Sequence, residues 1–352
     1  MAIPETTEAD KTTTPGNAEV QEVPVPEVKD DFILLKVKYV ALTLRTGTLV
    51  GSQNFALNEI HCNRIFRKHI DIPPLFAAGS TVGCDYMGTV VQLGPDVRGD
   101  WREGDRIAGV IHGSNKCDLS KGAFAEYALV REGVQMKVPE GLSDADAATT
   151  GVAISTVGLT LYYQKLSLPW PGSADAGCWI LIYGGSTATG SIAIQCAKLS
   201  GCKVVTTYSK KNTPFVKALG ADEAFDYNDP SCAKKIRSHT NDYLHFVLDC
   251  FGGQPGTTIC AEAISSKGGQ ICSIIPGEEY PRKEDVRRDL LPPYKIIGQA
   301  WDFFGSFPAT AHNYEFGRMW WAFARELLAE GKVKVHPPRV SEGERGSHRG
   351  FG

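Results

Sequence analysis

The sequence has no run of about eighteen apolar residues, so we expect no membrane-spanning helix. Its formal net charge is only −3, and this near-neutral balance argues against a nucleic-acid or membrane partner. The N-terminus, MAIPETTEADKTTTPGNAEV, is polar and acidic and lacks the basic start and apolar run of a secretory signal. We therefore predict a cytoplasmic protein in which residues 1–20 are flexible.

Signals for metal or nucleophile chemistry are also scarce. The ten cysteines include no C-x-x-C pair, and we interpret most of them as small buried hydrophobes. The tight cysteine cluster of a structural zinc site is missing, as is the G-x-S-x-G nucleophile elbow. His112 and His245 lie in no supporting motif. We therefore predict no metal site, and we interpret both histidines as structural.

The chain has 352 residues, 42% of them hydrophobic and 22% charged, which suits two globular domains. Short strands between turn signals, up to about residue 140, predict an antiparallel, barrel-like domain. After residue 143, strands and helices alternate at βαβ spacing, which predicts a doubly wound parallel sheet. We place the barrel domain at residues 21–150 plus 298–352 and the nucleotide-binding domain at residues 151–297.

The segment GGSTATG follows a buried strand and opens a helix, which is where a dinucleotide-binding loop lies. Its glycines let the backbone approach a pyrophosphate, and the helix N-terminus offers N–H groups and a positive dipole end. The spelling departs from strict G-x-G-x-x-G, so an ordinary glycine-rich turn stays open. The residues predicted to bind the cofactor here are Gly184, Gly185, Ser186, Thr187, Ala188 and Thr189.

The next strand ends in a second candidate cofactor segment, Ser209-Lys210-Lys211-Asn212. NAD enzymes usually place a carboxylate here for the ribose 2′-hydroxyl, and a carboxylate would repel a 2′-phosphate. A hydroxyl, two lysines and an amide would attract it, so we predict NADPH rather than NADH. A solvated lysine pair on a surface turn is the alternative. Tyr227 is a candidate to contact the adenosine end, although a structural aromatic fits equally well.

The absence of zinc ligands bears on the reaction. Cys84 offers one thiol, but the later segment GVAISTVGL has neither Cys nor His, and a catalytic zinc needs three protein ligands. Without zinc to polarise an alcohol, alcohol oxidation is disfavoured. Reduction of an activated C=C bond fits better, with hydride going to the β-carbon while the carbonyl spreads the developing charge.

Six stretches resemble a known superfamily: GCDYMGTVVQLGPDV, GDRIAGVIHGSN, GAFAEYALV, AATTGVAISTVGLTLY, ILIYGGSTATGSIAIQCAKLSG and KALGADEAFDY. Together they resemble the zinc-independent medium-chain dehydrogenase/reductases. Within these, they most resemble the trans-acting enoyl reductases of fungal polyketide synthases and polyketide–peptide hybrid synthases. The resemblance covers roughly residues 20–40 and 68–338. It implies a GroES-like, partly open β-barrel domain joined to a Rossmann domain.

The family implies a monomer that docks on a synthase and reduces an acyl-carrier-bound enoyl thioester with NADPH. By the same resemblance, Ile274 and Ile275 border the nicotinamide. Lys68 is the candidate general acid, with a solvated surface lysine as the alternative, and Thr156 is the candidate to orient the thioester carbonyl. Two segments are implied to line the acyl channel, with plain core packing as the alternative: Thr156, Val157, Gly158, Leu159, Thr160, Leu161, Tyr162 and Tyr163, then Tyr294, Lys295, Ile296 and Ile297.

Two segments, residues 43–67 and 341–352, depart from the family pattern. The first reads TLRTGTLVGSQNFALNEIHCNRIFR where the family has Asn-Pro-x-Asp-Trp, and the second replaces a helix and a last strand. We hypothesise a one-base frame slip followed by retained intron sequence that ends near Arg67. These departures leave open a defective relative that binds without turnover. A free-standing quinone or alkenal reductase is the other alternative.

Transcript sequencing across residues 43–67 tests the frame-slip hypothesis. We expect the mature transcript to lack the bases that encode most of this segment and to restore the family's Asn-Pro-x-Asp-Trp loop before Lys68. A spliced transcript that encodes all of residues 43–67 as printed would contradict the hypothesis.

Overall fold

The computed structural model describes residues 2–14, 17–42, 55–58, 77–163, 166–172, 176–209, 212–274, 280–302 and 306–342. Four predicted site residues, Lys68, Lys210, Lys211 and Ile275, lie outside these ranges, as does most of the two departing segments. Within the described ranges, no helix is both long and apolar enough to cross a membrane.

The first domain is a mostly antiparallel barrel-like sheet, as predicted. Its strands are β3 (Phe32–Leu42), β4 (Phe55–Asn58), β5 (Asp85–Leu93), β6 (Arg106–Val110), β7 (Tyr127–Arg131), β8 (Gln135–Lys137) and β17 (Arg339–Glu342). They lie in the order β17-β4-β3-β5-β6-β8, and β7 also pairs with β3. Alternate residues of β3 and β5, such as Ile33, Leu35 and Tyr86, fill the interior together with Phe124.

The N-terminus forms a β-hairpin, so the expectation that residues 1–20 are flexible is corrected. Strands β1 (Thr6–Thr14) and β2 (Asn17–Pro24) pair with each other, and β1 also bonds to the barrel. The backbone N–H of Asp10 donates to the Phe124 carbonyl at 2.8 Å, and that of Thr12 donates to the Ser80 carbonyl at 2.9 Å. Because backbone bonds rather than an apolar face attach this strand, its polar composition gave no sign of order.

The second domain is the predicted doubly wound sheet. Its strands are β9 (Trp179–Tyr183), β10 (Lys203–Tyr208), β11 (Glu223–Asp226), β12 (Leu244–Asp249), β13 (Gly269–Ser273) and β14 (Val286–Leu290). Helices α3 (Ala188–Leu199), α4 (Thr213–Ala218), α5 (Cys232–His239) and α6 (Gly256–Ala263) connect them. All pairs are parallel, in the order β11-β10-β9-β12-β13-β14. The order reverses between β9 and β12, and such a switch point is where these sheets bind ligands.

Several helices and a short β-hairpin join the two sheets. They are α1 (Asp144–Ala148), α2 (Gly151–Val157), a π-helix (Gly158–Tyr163), a 3-10 helix (Pro293–Ile297), β15 (Trp301–Asp302), β16 (Ser306–Phe307) and α7 (Ala311–Ala329). Ser143 caps α1, because its hydroxyl accepts the Asp146 N–H at 3.1 Å. Trp320 of α7 is fully buried and donates to the Ile154 carbonyl at 2.7 Å, which fixes α7 against α2.

Candidate functional site

The glycine-rich loop after β9 is tied to the end of β10. The Gly184 N–H donates to the Thr207 hydroxyl at 2.9 Å, and the Gly185 N–H donates to the Thr207 carbonyl at 3.1 Å. Gly184 has a φ of 83°, a conformation that favours glycine. A Cβ on Gly185 would overlap the Thr206 side chain. The loop therefore needs small residues on the side that faces β10.

Helix α3 begins directly behind this loop and faces it with its N-terminus. Thr187 is the N-cap, and its hydroxyl accepts the Gly190 N–H at 2.9 Å. In the described part of the chain, the N–H groups of Ala188 and Thr189 have no hydrogen-bond acceptor. Unsatisfied N–H groups at the positive end of a helix dipole form a site for a phosphate group. The structure thus brings the predicted loop residues together at the N-terminus of α3, and their role in binding a phosphate stays a prediction.

The segment after β10 contacts this loop through Asn212. Its amide nitrogen lies 3.0 Å from the Ser186 hydroxyl oxygen and 3.3 Å from the Ser209 hydroxyl oxygen. Three of the predicted polar residues therefore form one connected group at the carboxyl ends of β9 and β10. Tyr227 lies at the same edge, with 36% of its surface exposed and its N–H bonded to the Tyr208 carbonyl at 3.4 Å.

Asp249, at the end of β12, is a buried carboxylate that the sequence argument did not single out. One of its oxygens accepts the N–H groups of Phe251 at 3.0 Å and Gly252 at 2.8 Å. Burial raises the pKa of this carboxyl, while the backbone N–H groups oppose that shift. The Ile274 N–H bonds to the Asp249 carbonyl at 3.3 Å. Asp249 therefore shapes the loop that borders the switch point between β9 and β12.

The buried carboxylate of Asp85 positions Thr156, the predicted substrate-orienting residue. Asp85 accepts the Val152 N–H at 2.6 Å and so caps the first turn of α2. The Thr156 side chain is buried, and its hydroxyl donates to the Val152 carbonyl at 2.6 Å. Its proton is therefore used inside the helix, and the oxygen keeps its acceptor capacity.

The residues predicted to line an acyl channel lie largely in the core. Val157, Leu159 and Leu161 are fully buried, and Gly158 packs against the Trp320 ring. The Tyr163 hydroxyl donates to the Asn313 side chain at 2.6 Å. This is the packing alternative that the sequence left open. A role for these residues in substrate binding stays a prediction.

Tyr294, from the second predicted channel segment, lies at the contact between the two domains. Its hydroxyl donates to the Cys84 sulfur at 3.3 Å, and its ring stacks on His112 with centroids 3.8 Å apart. His112 is itself buried and edge-on to Trp301. Ile296 and Ile297 are buried in the main core, and Lys295 is half-buried. No sequence motif connects residues this far apart in the chain.

Two protein-family models match the chain, one in each domain. A zinc-binding dehydrogenase model matches residues 188–317, and an alcohol dehydrogenase GroES-like domain model matches residues 32–140. A trans-enoyl reductase of Alternaria alternata, ACTTS2, is 36% identical over 329 residues, covering 93% of this chain and 89% of the relative. The trans-enoyl reductase resD of Aspergillus sclerotiorum is 35% identical over 352 residues, covering 95% and 91%. The chain belongs to the trans-enoyl reductase family.

Solved structures show the same fold as this trans-enoyl reductase family member. An alcohol dehydrogenase superfamily protein from Novosphingobium aromaticivorans matches with a TM-score of 0.71 and 20% identity, covering 94% of this chain and 88% of that one. The CurK enoyl reductase matches with a TM-score of 0.69 and 14% identity, covering 95% and 91%. At these identities the likeness concerns the fold alone. The predicted combination of a GroES-like barrel with a Rossmann domain is confirmed.

The name of the matching zinc-binding model does not itself place a metal in this family member. Across the described ranges, no three His, Cys, Asp or Glu side chains come together as a ligand group. Cys84, the one predicted candidate ligand, instead lies within hydrogen-bond distance of Tyr294.

Replacing Gly190 tests the loop geometry. A Cβ at this position would overlap the Gly184 carbonyl oxygen, so G190A must push α3 away from the loop. We expect the dissociation constant for NADPH, measured by fluorescence titration, to rise about tenfold or more. G141A is the matched control, because a Cβ on the exposed Gly141 meets no atom within 4 Å. Unchanged NADPH binding by a folded G190A variant would contradict this description of the site.

Proposed function

We propose that the protein reduces the C=C bond of an acyl-carrier-bound enoyl thioester with NADPH, in trans to a polyketide synthase or a polyketide–peptide hybrid synthase. One observation carries the proposal. A chain of the trans-enoyl reductase family has a complete phosphate loop, with the turn at Gly184 held by Thr207 and α3 capped by Thr187. The phosphate loop supports binding of a nicotinamide cofactor, and the similarity to trans-enoyl reductases supports an enoyl substrate.

The cofactor's phosphates fit two groups of residues. The N–H groups of Ala188 and Thr189 suit the pyrophosphate, because they lie at the positive end of α3. Ser209 and Asn212, together with the neighbouring lysines, suit a 2′-phosphate, and β10 ends at Tyr208 without a carboxylate that would repel it. We assign Tyr227 to the adenosine and, by the family resemblance, Ile274 and Ile275 to the border of the nicotinamide.

When bound, NADPH supplies a hydride for the β-carbon of the substrate. The protein's part is to orient the thioester and to deliver a proton to the α-carbon. Lys68 is our candidate proton donor. Thr156 is our candidate to orient the thioester, and its hydroxyl would have to turn from the Val152 carbonyl before it could donate to the thioester oxygen. The two predicted channel segments would then shape the acyl pocket mainly through the positions of α2 and the 3-10 helix.

We propose that the protein works as a cytoplasmic monomer that receives its substrate from the synthase's carrier domain. Among the described strands, β14 lies at one edge of the Rossmann sheet, and it carries Arg287, Arg288 and Asp289 in a row. Charged side chains on an edge strand disfavour extension of the sheet into a second subunit. This supports a monomeric state.

A second candidate function has one specific observation in its favour. The loop that precedes Lys68 in other family members is replaced here by the departing segment of residues 43–67. A chain that has a complete phosphate loop but lacks the family's loop before Lys68 would bind NADPH without turnover.

An NADPH oxidation assay separates these functions. With an enoyl pantetheine thioester as substrate, we expect oxidation of NADPH that is much faster than with a small free enone, because thioester and pantetheine contacts add binding energy. A parallel titration should show NADPH binding with higher affinity than NADH. NADPH binding without oxidation of either substrate would favour the non-catalytic relative. Equal rates with both substrates would favour a free-standing quinone or alkenal reductase.

A further inference from the structure

The five residues 333–337, which we call the strap, run from the end of α7 across the phosphate loop. The strap begins on α7, where the Val333 N–H donates to the Leu327 carbonyl at 3.1 Å. Two residues beyond it the chain enters β17, which pairs with β4 in the barrel sheet. The strap therefore connects α7 to the barrel sheet, and on the way it contacts α3 and the phosphate loop of the Rossmann domain.

Gln195 fixes the strap to the face of α3. Its side-chain amide donates to the Lys334 carbonyl at 2.8 Å and accepts the Lys334 N–H at 2.8 Å, in the manner of a β-sheet pair. Gln195 is 8% exposed, so the amide is shielded from water and both bonds are costly to lose. These two hydrogen bonds hold the strap against α3.

His336 continues the same connection onto the phosphate loop. Its Nε2 lies 3.1 Å from the Ser186 carbonyl oxygen, and its ring meets the Phe215 ring edge-on at 5.3 Å. Burial lowers the pKa of His336, which keeps the imidazole neutral near pH 7. The Nδ1 lies 3.0 Å from the Pro337 carbonyl oxygen, and a neutral ring carries only one N–H. The role proposed below requires the tautomer with the proton on Nε2, which donates to Ser186.

Ser186 links His336 to the segment after β10. While its carbonyl faces His336, its hydroxyl faces Asn212, which also contacts Ser209. A hydrogen bond on the carbonyl restricts rotation of the Ser186 peptide. That restriction keeps the serine hydroxyl directed at the segment after β10. His336 is thus connected, through one residue, to the group assigned to the 2′-phosphate.

We propose that His336 is a positioning residue for recognition of the cofactor's 2′-phosphate. It acts by holding the Ser186 peptide in the orientation that joins the phosphate loop to Asn212 and Ser209, and Gln195 holds the strap that presents it. The proposal rests on the assignment of NADPH as cofactor. It predicts that loss of the imidazole N–H weakens NADPH binding more than NADH binding, because NADH has no 2′-phosphate.

The test compares NADPH and NADH dissociation constants for the full chain and its variants. H336F keeps a planar ring but removes the donor, and we expect the preference for NADPH over NADH to fall about fivefold, the loss of one hydrogen bond. H336Q keeps a donor nitrogen at similar reach, and it should restore the preference to within about twofold of the native chain. H245F is the matched control, because the half-buried His245 also bonds to a carbonyl, that of Gly268 at 2.7 Å, at the opposite end of the sheet.

Several outcomes overturn the proposal. An equal loss of NADPH and NADH affinity in H336F would mean that the strap only supports the fold, and failure of H336Q to restore the preference would mean that the N–H is not the active group. If H336F does not fold, Q195M replaces it: it detaches the strap at similar side-chain volume and should lower the NADPH preference, whereas an equal effect on both cofactors would overturn the role. A native chain that prefers NADH would refute the cofactor assignment itself, and the His336 role with it.

Discussion

Three glycines allow the N-terminus of α3 to lie against the turn after β9, and the candidate cofactor site depends on this close approach. A side chain at Gly190 would overlap the Gly184 carbonyl, and one at Gly185 would overlap Thr206. With the backbone this close, Thr207 can hold the turn from one side while Thr187 caps the helix from the other. The N–H groups at the start of α3 then point to one place, which is what binding of a pyrophosphate requires.

The second constraint is the junction between the two sheets. Asp85 of the barrel caps α2, and Trp320 of α7 bonds to the backbone of the same helix, so α2 is held from both sides. Tyr294 adds a contact between the 3-10 helix after β14 and Cys84 of the barrel. Asp85, Trp320 and Tyr294 are themselves buried, so removing their hydrogen-bond partners would leave a buried polar group unsatisfied, at a cost of roughly 1–3 kcal/mol. A few specific bonds therefore hold α2, α7 and the 3-10 helix between the two sheets.

Local patterns in the sequence predicted the elements of the Rossmann domain well. The run WILIY is buried on both faces as β9. The helix after it ends at Leu199, two residues before Gly201, which has a positive φ of 76°. The N-terminal hairpin was missed because backbone bonds hold it, and these leave no periodicity in the side chains. The channel residues illustrate a different limit. A side chain that lines an acyl channel and one that packs in the core are both apolar, so periodicity cannot separate them.

The contacts of His336 and Asp249 lie beyond sequence reasoning for a geometric reason. His336 meets Ser186 across 150 positions of the chain, a separation that no motif spans. The one signal in the sequence that could have pointed to Asp249 is a polar residue at the end of an apolar strand, as in HFVLD. Residues at the carboxyl ends of parallel strands border the place where this kind of sheet binds its ligand, so a polar residue there is a candidate site residue.

The central claim is that this chain catalyses hydride transfer from NADPH to an enoyl thioester, and isotope labelling tests it most directly. NADPH deuterated at the transferable position of the nicotinamide is incubated with the protein and an enoyl pantetheine thioester, and the product is examined by mass spectrometry and NMR. The account predicts one deuterium on the β-carbon, with the α-carbon proton coming from solvent. A bound cofactor that yields no labelled product, or a label found at the α-carbon, would contradict it.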